Sequence, residues 1–455
     1  MLTGVFFWGF LLAYGALMYW LSPRTVTVGG FFNGEDSEGR QASPLLLTTS
    51  IFISWIFAKS VTNAANLGAE FGLVGGLAYA TYWLSIPLCG LVIYRLRRRF
   101  QATSLVSFLT SNYGRAAALS FSAAILIRLF NEVWSNTAVV GGYYGDSGSP
   151  AFIASALLFT AVTLIYSLRG GLRSSILTDA AQAAIFVIAL VWVLGLVLPN
   201  HSASELTSTS HWALNAGVDL FLVACLQLVS YPFHDPVLTD RGFISEEKSM
   251  LRAFTLAGVL GFVAILAFSL IGVHASLGGI EASGNVPAAL AKSLGVGALV
   301  VMTLVMISAA GSTLDSTFSS LARLSGRELP ALLGRDFGHK AIGVGMAAMI
   351  IFALLGNLPM LAGTDILKAT TISGTMVIGL APVFLLHGLV RPTRLGFHLS
   401  FWTGLALGVA LTVGWIPGSW AIGDGKYALL LGTNLYGLLL CTAGYLLPGL
   451  SRRAA

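Results

Sequence analysis

Ser312, Asp315 and Ser316 follow one another at spacings of three and one within residues 308–320, inside a long apolar stretch. If this run is helical, Ser312 lies one turn from both Asp315 and Ser316, and the three share a face. A carboxylate among hydroxyls offers the hard oxygen ligands that suit sodium or another hard cation. Hydroxyls in apolar helices also bond back to their own backbone or let helices approach closely. Asp315 among them points to ion binding instead. A second polar group, Thr178, Asp179 and Gln182, follows the arginines Arg169 and Arg173 and the glycine pair 170–171. A carboxylate carried into an apolar helix is costly and marks function; the alternative for Asp179 is a structural pair with Arg173. The third group is Lys59 with Ser60, Thr62 and Asn63, also in an apolar span. A buried lysine needs a partner or loses its proton. Glu132, four residues after Arg128, is the first candidate partner and Asp315 the second. Three roles stay open for Lys59: recognition of an anionic solute group, an ammonium standing in for sodium, or a salt bridge that only supports the fold.

These residues need apolar helices to carry them. The chain has 455 residues, 56% of them apolar and 10% charged, with a mean hydropathy of +0.82. A soluble domain carries about 25% charge, so the composition excludes one. Apolar runs of about 20 residues recur from end to end, which predicts an all-α polytopic membrane protein. Thirteen transmembrane helices are expected, at roughly 2–22, 44–69, 72–96, 116–141, 151–168, 175–198, 212–236, 252–275, 290–322, 340–358, 364–390, 396–417 and 427–448. With the N-terminus outside, 20 of the 25 lysines and arginines, Arg241 among them, fall in cytoplasmic loops and two outside. That asymmetry follows the positive-inside rule and places the C-terminus in the cytoplasm. The basic run 95–99 reads as a topology signal. The first apolar run has no basic stretch before it and no small-residue cleavage site, so a retained helix is expected. The three cysteines lie far apart in apolar segments and read as reduced packing residues.

Two spans are interrupted by polar residues or proline. One is the second, at 59–63. The other is the seventh, which ends Ser230-Tyr231-Pro232-Phe233-His234-Asp235-Pro236. Paired broken helices are the best sequence pointer to a transport site. His234 and Asp235 read as residues of the helix exit. Asp365 and Lys368, three residues apart, are expected to pair on one helical face.

The run from Tyr166 through the Gly-Gly turn to Thr178, Asp179 and Gln182, together with the serine-rich helix 308–320, resembles the sodium/solute symporter family. The resemblance implies a LeuT-type core, a five-plus-five inverted repeat over 44–390. One extra helix at 2–22 precedes it and two accessory helices at 396–448 follow, in one membrane transporter domain spanning 1–455. It implies sodium as coupling ion, held by the carbonyls of Ala58, Val61 and Ala309 and the hydroxyls of Ser312 and Thr313. A second cation would lie among Asp179, Ser312, Asp315 and Ser316. A small polar solute would meet Lys59, Thr62, Asn63, Glu132 and Tyr231. Lys59 and Glu132 match no branch of the family, so the solute is unassigned.

The expected activity is sodium-coupled symport by alternating access across the cytoplasmic membrane, by a carrier working as a monomer in lipid. The alternative is a proton-coupled or sodium-independent carrier in which Lys59 replaces the cation. A channel would need rings of like residues or filter loops. An enzyme would need a nucleophile–base or metal set, and the seven histidines show no paired ligand spacing. There is no P-loop for ATP-driven transport. Nothing in the sequence calls for a cofactor or a nucleic-acid partner.

Overall fold

The computed structural model of the protein describes residues 2–280, 284–362 and 373–451. The expected pair Asp365–Lys368 lies outside these. The helices that build the site are α1 Leu2–Leu21, α2 Val28–Asn33, α3 Pro44–Ser54, α4 Ala58–Ala80, α5 Ser85–Phe100, α6 Leu105–Tyr113, α7 Arg115–Gly141, α8 Pro150–Val197, α9 Ala203–Ser208, α10 Val218–Gln227, α11 Pro236–Phe243, α12 Glu247–Leu277, α13 Val286–Leu294 and α14 Val296–Arg323. Lys340–Leu355, Arg394–Thr412 and Ala428–Ser451 follow. Among the described residues, eight continuous stretches are long and apolar enough to cross a membrane.

Two of those stretches are hairpins. In α8 the chain reverses at Gly171 (φ 54°, ψ −135°). Gln182 donates to the Tyr166 hydroxyl at 3.4 Å, although 16 residues of straight helix would separate them by about 24 Å. In α4 the reversal is at Gly72 (φ 63°, ψ −146°), and Asn63 donates to the Tyr79 hydroxyl at 3.1 Å. Only glycine adopts this backbone region at low cost. A Cβ at Gly171 would also collide with the carbonyl oxygen of Phe31. Gly171→Ala is therefore expected to cost at least about 1–3 kcal/mol in backbone strain alone. Detergent-extracted protein should show a sharp loss of the monodisperse peak by size-exclusion chromatography.

Both predicted interruptions exist, but the first lies elsewhere than expected. The chain unwinds at Trp55, Ile56 and Phe57, and Lys59 to Asn63 are helical. Phe57 is extended (φ −66°, ψ 143°), and the Ala58 N–H is taken by the Asn136 side chain at 3.1 Å. The polar residues after the break therefore keep helical backbone bonds and project side chains into the bundle. The second break runs from Leu228 to Asp235 with Pro232 inside it. Asp235 then caps α11, accepting the Val237 N–H at 3.1 Å with Pro236 in the first turn.

Large apolar side chains such as Ile127, Ile188, Leu354 and Leu439 point outward, while Lys59, Glu132, Asp179, Asp235, Arg241 and Asp315 are buried. α12 crosses α4 where Gly68 and Gly272 let the backbones touch. The basic run 95–99, read as a topology signal, also makes contacts within the fold. Arg97 donates to the carbonyls of Gly242 and Ser245, each at 2.7 Å, and so holds the end of α11.

Candidate functional site

The site forms where α3, α4, α7, α8, α11 and α14 meet around the first break. Two polar clusters occupy it, one on each side of the unwound segment.

The first cluster gathers hydroxyls and carboxylates from α3, α8 and α14. Asp179 accepts from Ser50 at 2.5 Å and Ser54 at 3.2 Å, and also from Ser312. Asp315 accepts from Tyr166 at 3.0 Å, Thr178 at 3.0 Å and Ser175 at 2.7 Å. Ser316 lies 2.9 Å from both Ser54 and Ser175. Ser175 and Asp179 share a face of α8, as Ser50 and Ser54 share a face of α3, by their i,i+4 spacing. Gln182 faces Tyr14 at 2.8 Å, so α1 closes the cluster from behind.

Arg241 enters this cluster. The sequence placed it among the loop cations; the structure buries it completely. Its nearest carboxylate is Asp179, at 3.1 Å. The Arg173 pairing weighed for Asp179 is not made: Arg173 donates to the Gly34 carbonyl instead, at 3.4 Å. Asp315, the second candidate partner for Lys59, is bonded by the hydroxyls of Tyr166, Ser175 and Thr178.

Beside this cluster lies the hydroxyl–carbonyl set expected to hold sodium. The Thr313 hydroxyl is 3.0 Å from the Ala309 carbonyl and 3.2 Å from the Ser54 carbonyl. The α3–α4 carbonyl facing Thr313 is thus four residues earlier than Ala58. The reason is the position of the break. The carbonyl left free belongs to the last turn of α3, whereas the Ala58 carbonyl accepts the Thr62 hydroxyl at 3.1 Å inside α4. Val61 sits in the first turn of α4, with its N–H on the Phe57 carbonyl at 3.1 Å.

The second cluster holds four charges. Lys59 donates to Glu132 at 2.6 Å and to Ser135 at 3.1 Å. Arg128 pairs with Glu132 one turn away and with Asp235 at 2.9 Å. Asp235 also accepts the Trp55 indole N–H at 3.0 Å, so the two breaks bond directly to each other. Asn136 completes Glu132 at 2.9 Å. Glu132 is therefore the partner of Lys59. Asp235 and Arg128 belong to this cluster, and Asp235 is no helix-exit residue, being fully buried. His234 is buried with it.

Above the charges is a cage of Trp55, Phe57, Ser60, Tyr79, Tyr82, Trp83 and Tyr231 around a cavity of about 20 Å³, room for roughly one water. Phe57 carries Lys59 at 5.1 Å and Arg128 at 5.3 Å over its ring, and Tyr231 carries Arg128 at 5.4 Å. Of the residues expected to meet substrate, Tyr231 lines this cavity. Asn63 reaches its wall through Tyr79, and Thr62 bonds back to its own helix. At the arginine-rich end an open cleft of about 530 Å³ is lined by Asn33, Glu35, Thr103, Arg323 and Glu328 among others. Arg323 there lies 3.4 Å from Glu328 and 3.9 Å from Asp240.

No protein-family model matches the chain. Among curated proteins it is 24% identical over 201 residues to the urea-proton symporter DUR3 of Oryza sativa subsp. japonica, a match covering 43% of this chain and 28% of that one. It is 22% identical over 207 residues to the sodium/pantothenate symporter of Escherichia coli (strain K12), covering 44% and 42%. It is 28% identical over 193 residues to sodium/glucose cotransporter 4 of Danio rerio, covering 40% and 28%. The chain is similar to sodium/solute symporters. Its matches span less than half the length of each of these relatives. Among solved structures, a Na+-coupled sialic acid symporter in its substrate-bound outward-open state superposes with a TM-score of 0.73 at 13% identity, covering 96% of both chains. MhsT in complex with L-phenylalanine superposes at 0.55, with 14% identity, over 89% of this chain and 98% of that one. The chain shares its fold with both.

Proposed function

We propose that the protein is a secondary active transporter that moves a small polar solute together with sodium by alternating access. The observation that carries this reading is the Thr313 hydroxyl set between the carbonyls of Ser54 and Ala309, where a helix breaks beside a hydroxyl-rich neighbour. Neutral hard oxygens of this kind suit sodium and place no uncompensated charge in the membrane. Ser312 and Thr313 would supply hydroxyls, and Ser54 takes the place given to Ala58. The names of the relatives and the fold shared with Na+-coupled symporters support the same reading.

The aromatic cage between the two breaks, which holds about one water as it stands, would have to widen to receive the solute, with Tyr231 on its wall. The cleft at the arginine-rich end would be the cytoplasmic exit. The proposed arrangement is a 13-helix chain in the cytoplasmic membrane, N-terminus outside, with a five-plus-five inverted core and a single transporter domain, acting as a monomer. Sodium would hold α3 against α14, and a ligand moves such an equilibrium only by binding one state better than the other. Lys59 does not support the sodium-independent alternative, since its ammonium is engaged by Glu132 and Ser135.

The test is thermal unfolding of the purified protein in choline chloride, with sodium titrated at constant ionic strength. Saturable stabilisation is expected, rising with the logarithm of sodium concentration, and Lys59→Ala should keep it. A wild type that ignores sodium while Lys59→Ala responds would reverse the reading, with the lysine as the cation.

A further inference from the structure

Arg241 is held by more oxygen than a guanidinium can use. One terminal nitrogen lies within 3.3 Å of four oxygens: Ser316 at 2.7 Å, Ser54 at 3.1 Å, Asp179 at 3.1 Å and Ser175 at 3.3 Å. Such a nitrogen carries two hydrogens and can satisfy two acceptors well. The four oxygens come from three helices and converge on a single point, the geometry by which hard oxygen ligands surround a small cation. The rest of the side chain is fixed as firmly. Its Nε donates to Ser50 at 2.7 Å, and the other terminal nitrogen donates to the Val237 carbonyl at 2.5 Å. With Asp179 and Asp315 both in the cluster, one positive charge is needed to bury Asp179 here. Arg241 supplies it from within the chain.

We propose that Arg241 is a tethered cation: its terminal nitrogen fills the oxygen shell of Ser54, Ser175, Asp179 and Ser316 in place of a second sodium ion. The protein then has one exchangeable cation site, the one at Thr313. This deepens the proposed function and rests on it for the identity of the ion. It also ties the shell to α11, the helix that follows the second break, so that displacing α11 withdraws the charge from between α3, α8 and α14.

The experiment counts radiolabelled sodium bound per chain at saturation, by equilibrium dialysis of the purified full chain in choline chloride. One ion is expected on the wild type, two on Arg241→Ala, and one again on Arg241→Lys, which restores a charge, and on Arg241→Ala combined with Asp179→Asn. Two ions on the wild type overturn the proposal and leave sodium coupling standing. So does one ion on both the wild type and Arg241→Ala. No ion on the wild type with one on Arg241→Ala keeps the tethered cation and overturns the site at Thr313; none on either overturns both. If Arg241→Ala does not purify, Arg241→Gln, which removes the charge and keeps an amide donor, takes its place: one ion more than on the wild type is expected, and a count equal to the wild type's overturns the proposal.

Discussion

Thr313→Ala is expected to raise the sodium concentration for half-maximal thermal stabilisation about tenfold, equal to ~1.4 kcal/mol of binding energy. The Thr313 hydroxyl faces both the Ser54 and Ala309 carbonyls. Removing it takes one ligand from the proposed shell and leaves the two carbonyls in place. The stabilisation reached at saturating sodium should therefore persist while the curve moves to higher concentration. Thr313→Ser keeps the oxygen and should stay near the wild-type curve. Ser312→Ala should shift the curve in the same direction, since its hydroxyl bridges Asp179 and Ser54 beside the same carbonyl. Unchanged sodium dependence in both alanine variants would remove Ser312 and Thr313 from the ion site.

Glu132→Ala is expected to be the most destabilising single substitution in the bundle centre, by about 3–5 kcal/mol, because it strips a buried ion pair of one partner. Glu132 is fully buried and serves Lys59, Arg128 and Asn136 together. Without it Lys59 keeps the Ser135 hydroxyl and the Phe57 ring but no carboxylate, and Arg128 keeps Asp235 with the Phe57 and Tyr231 rings. Apparent melting in detergent, followed by the fraction remaining monodisperse after heating, reads this directly. Adding Lys59→Met to Glu132→Ala removes the orphaned ammonium and leaves Arg128 paired with Asp235. The double variant should recover a large part of the loss, as apolar replacement of a buried pair often does. A Glu132→Ala protein that melts like the wild type would mean that water reaches this cluster.

Much of this was legible in the residues. Composition and apolar spacing predict a polytopic helical protein. The Gly-Gly turn before Asp179 marks the α8 hairpin, where Gly171 takes the positive φ that a reversal needs. The two interrupted spans mark the breaks, and Arg128 four residues before Glu132 marks their pairing one helical turn apart. Other parts depend on contacts that no local pattern carries. The first break falls at three apolar residues, Trp55 to Phe57, because Asn136 of α7 supplies the cap that lets α4 start at Ala58. The polar run 59–63 marks only the opening of α4. Asp235 looks like a helix exit by sequence, since proline on either side permits that. Its partners Trp55 and Arg128 lie 180 and 107 residues away. Arg241 reads as a loop arginine for the same reason. Nothing near it in sequence announces Ser50, Asp179 or Ser316. The serines at 50, 54 and 175 carried a usable signal in their i,i+4 spacing with one another and with Asp179.

The four charges beside the aromatic cage have a bearing on selectivity. Lys59, Arg128, Glu132 and Asp235 are two cations and two anions linked in one chain of pairs. Such a set has no net charge, so at a distance the Coulomb attractions and repulsions of its members largely cancel. A solute in the cage would meet ring faces and fixed dipoles instead of a net potential. An ion entering there would shed its water with no opposite charge held in reserve, at a cost of several kcal/mol. An uncharged or zwitterionic molecule would escape most of that penalty. Discrimination between the two would then be set by the electrical balance of the wall, whatever the width of the opening.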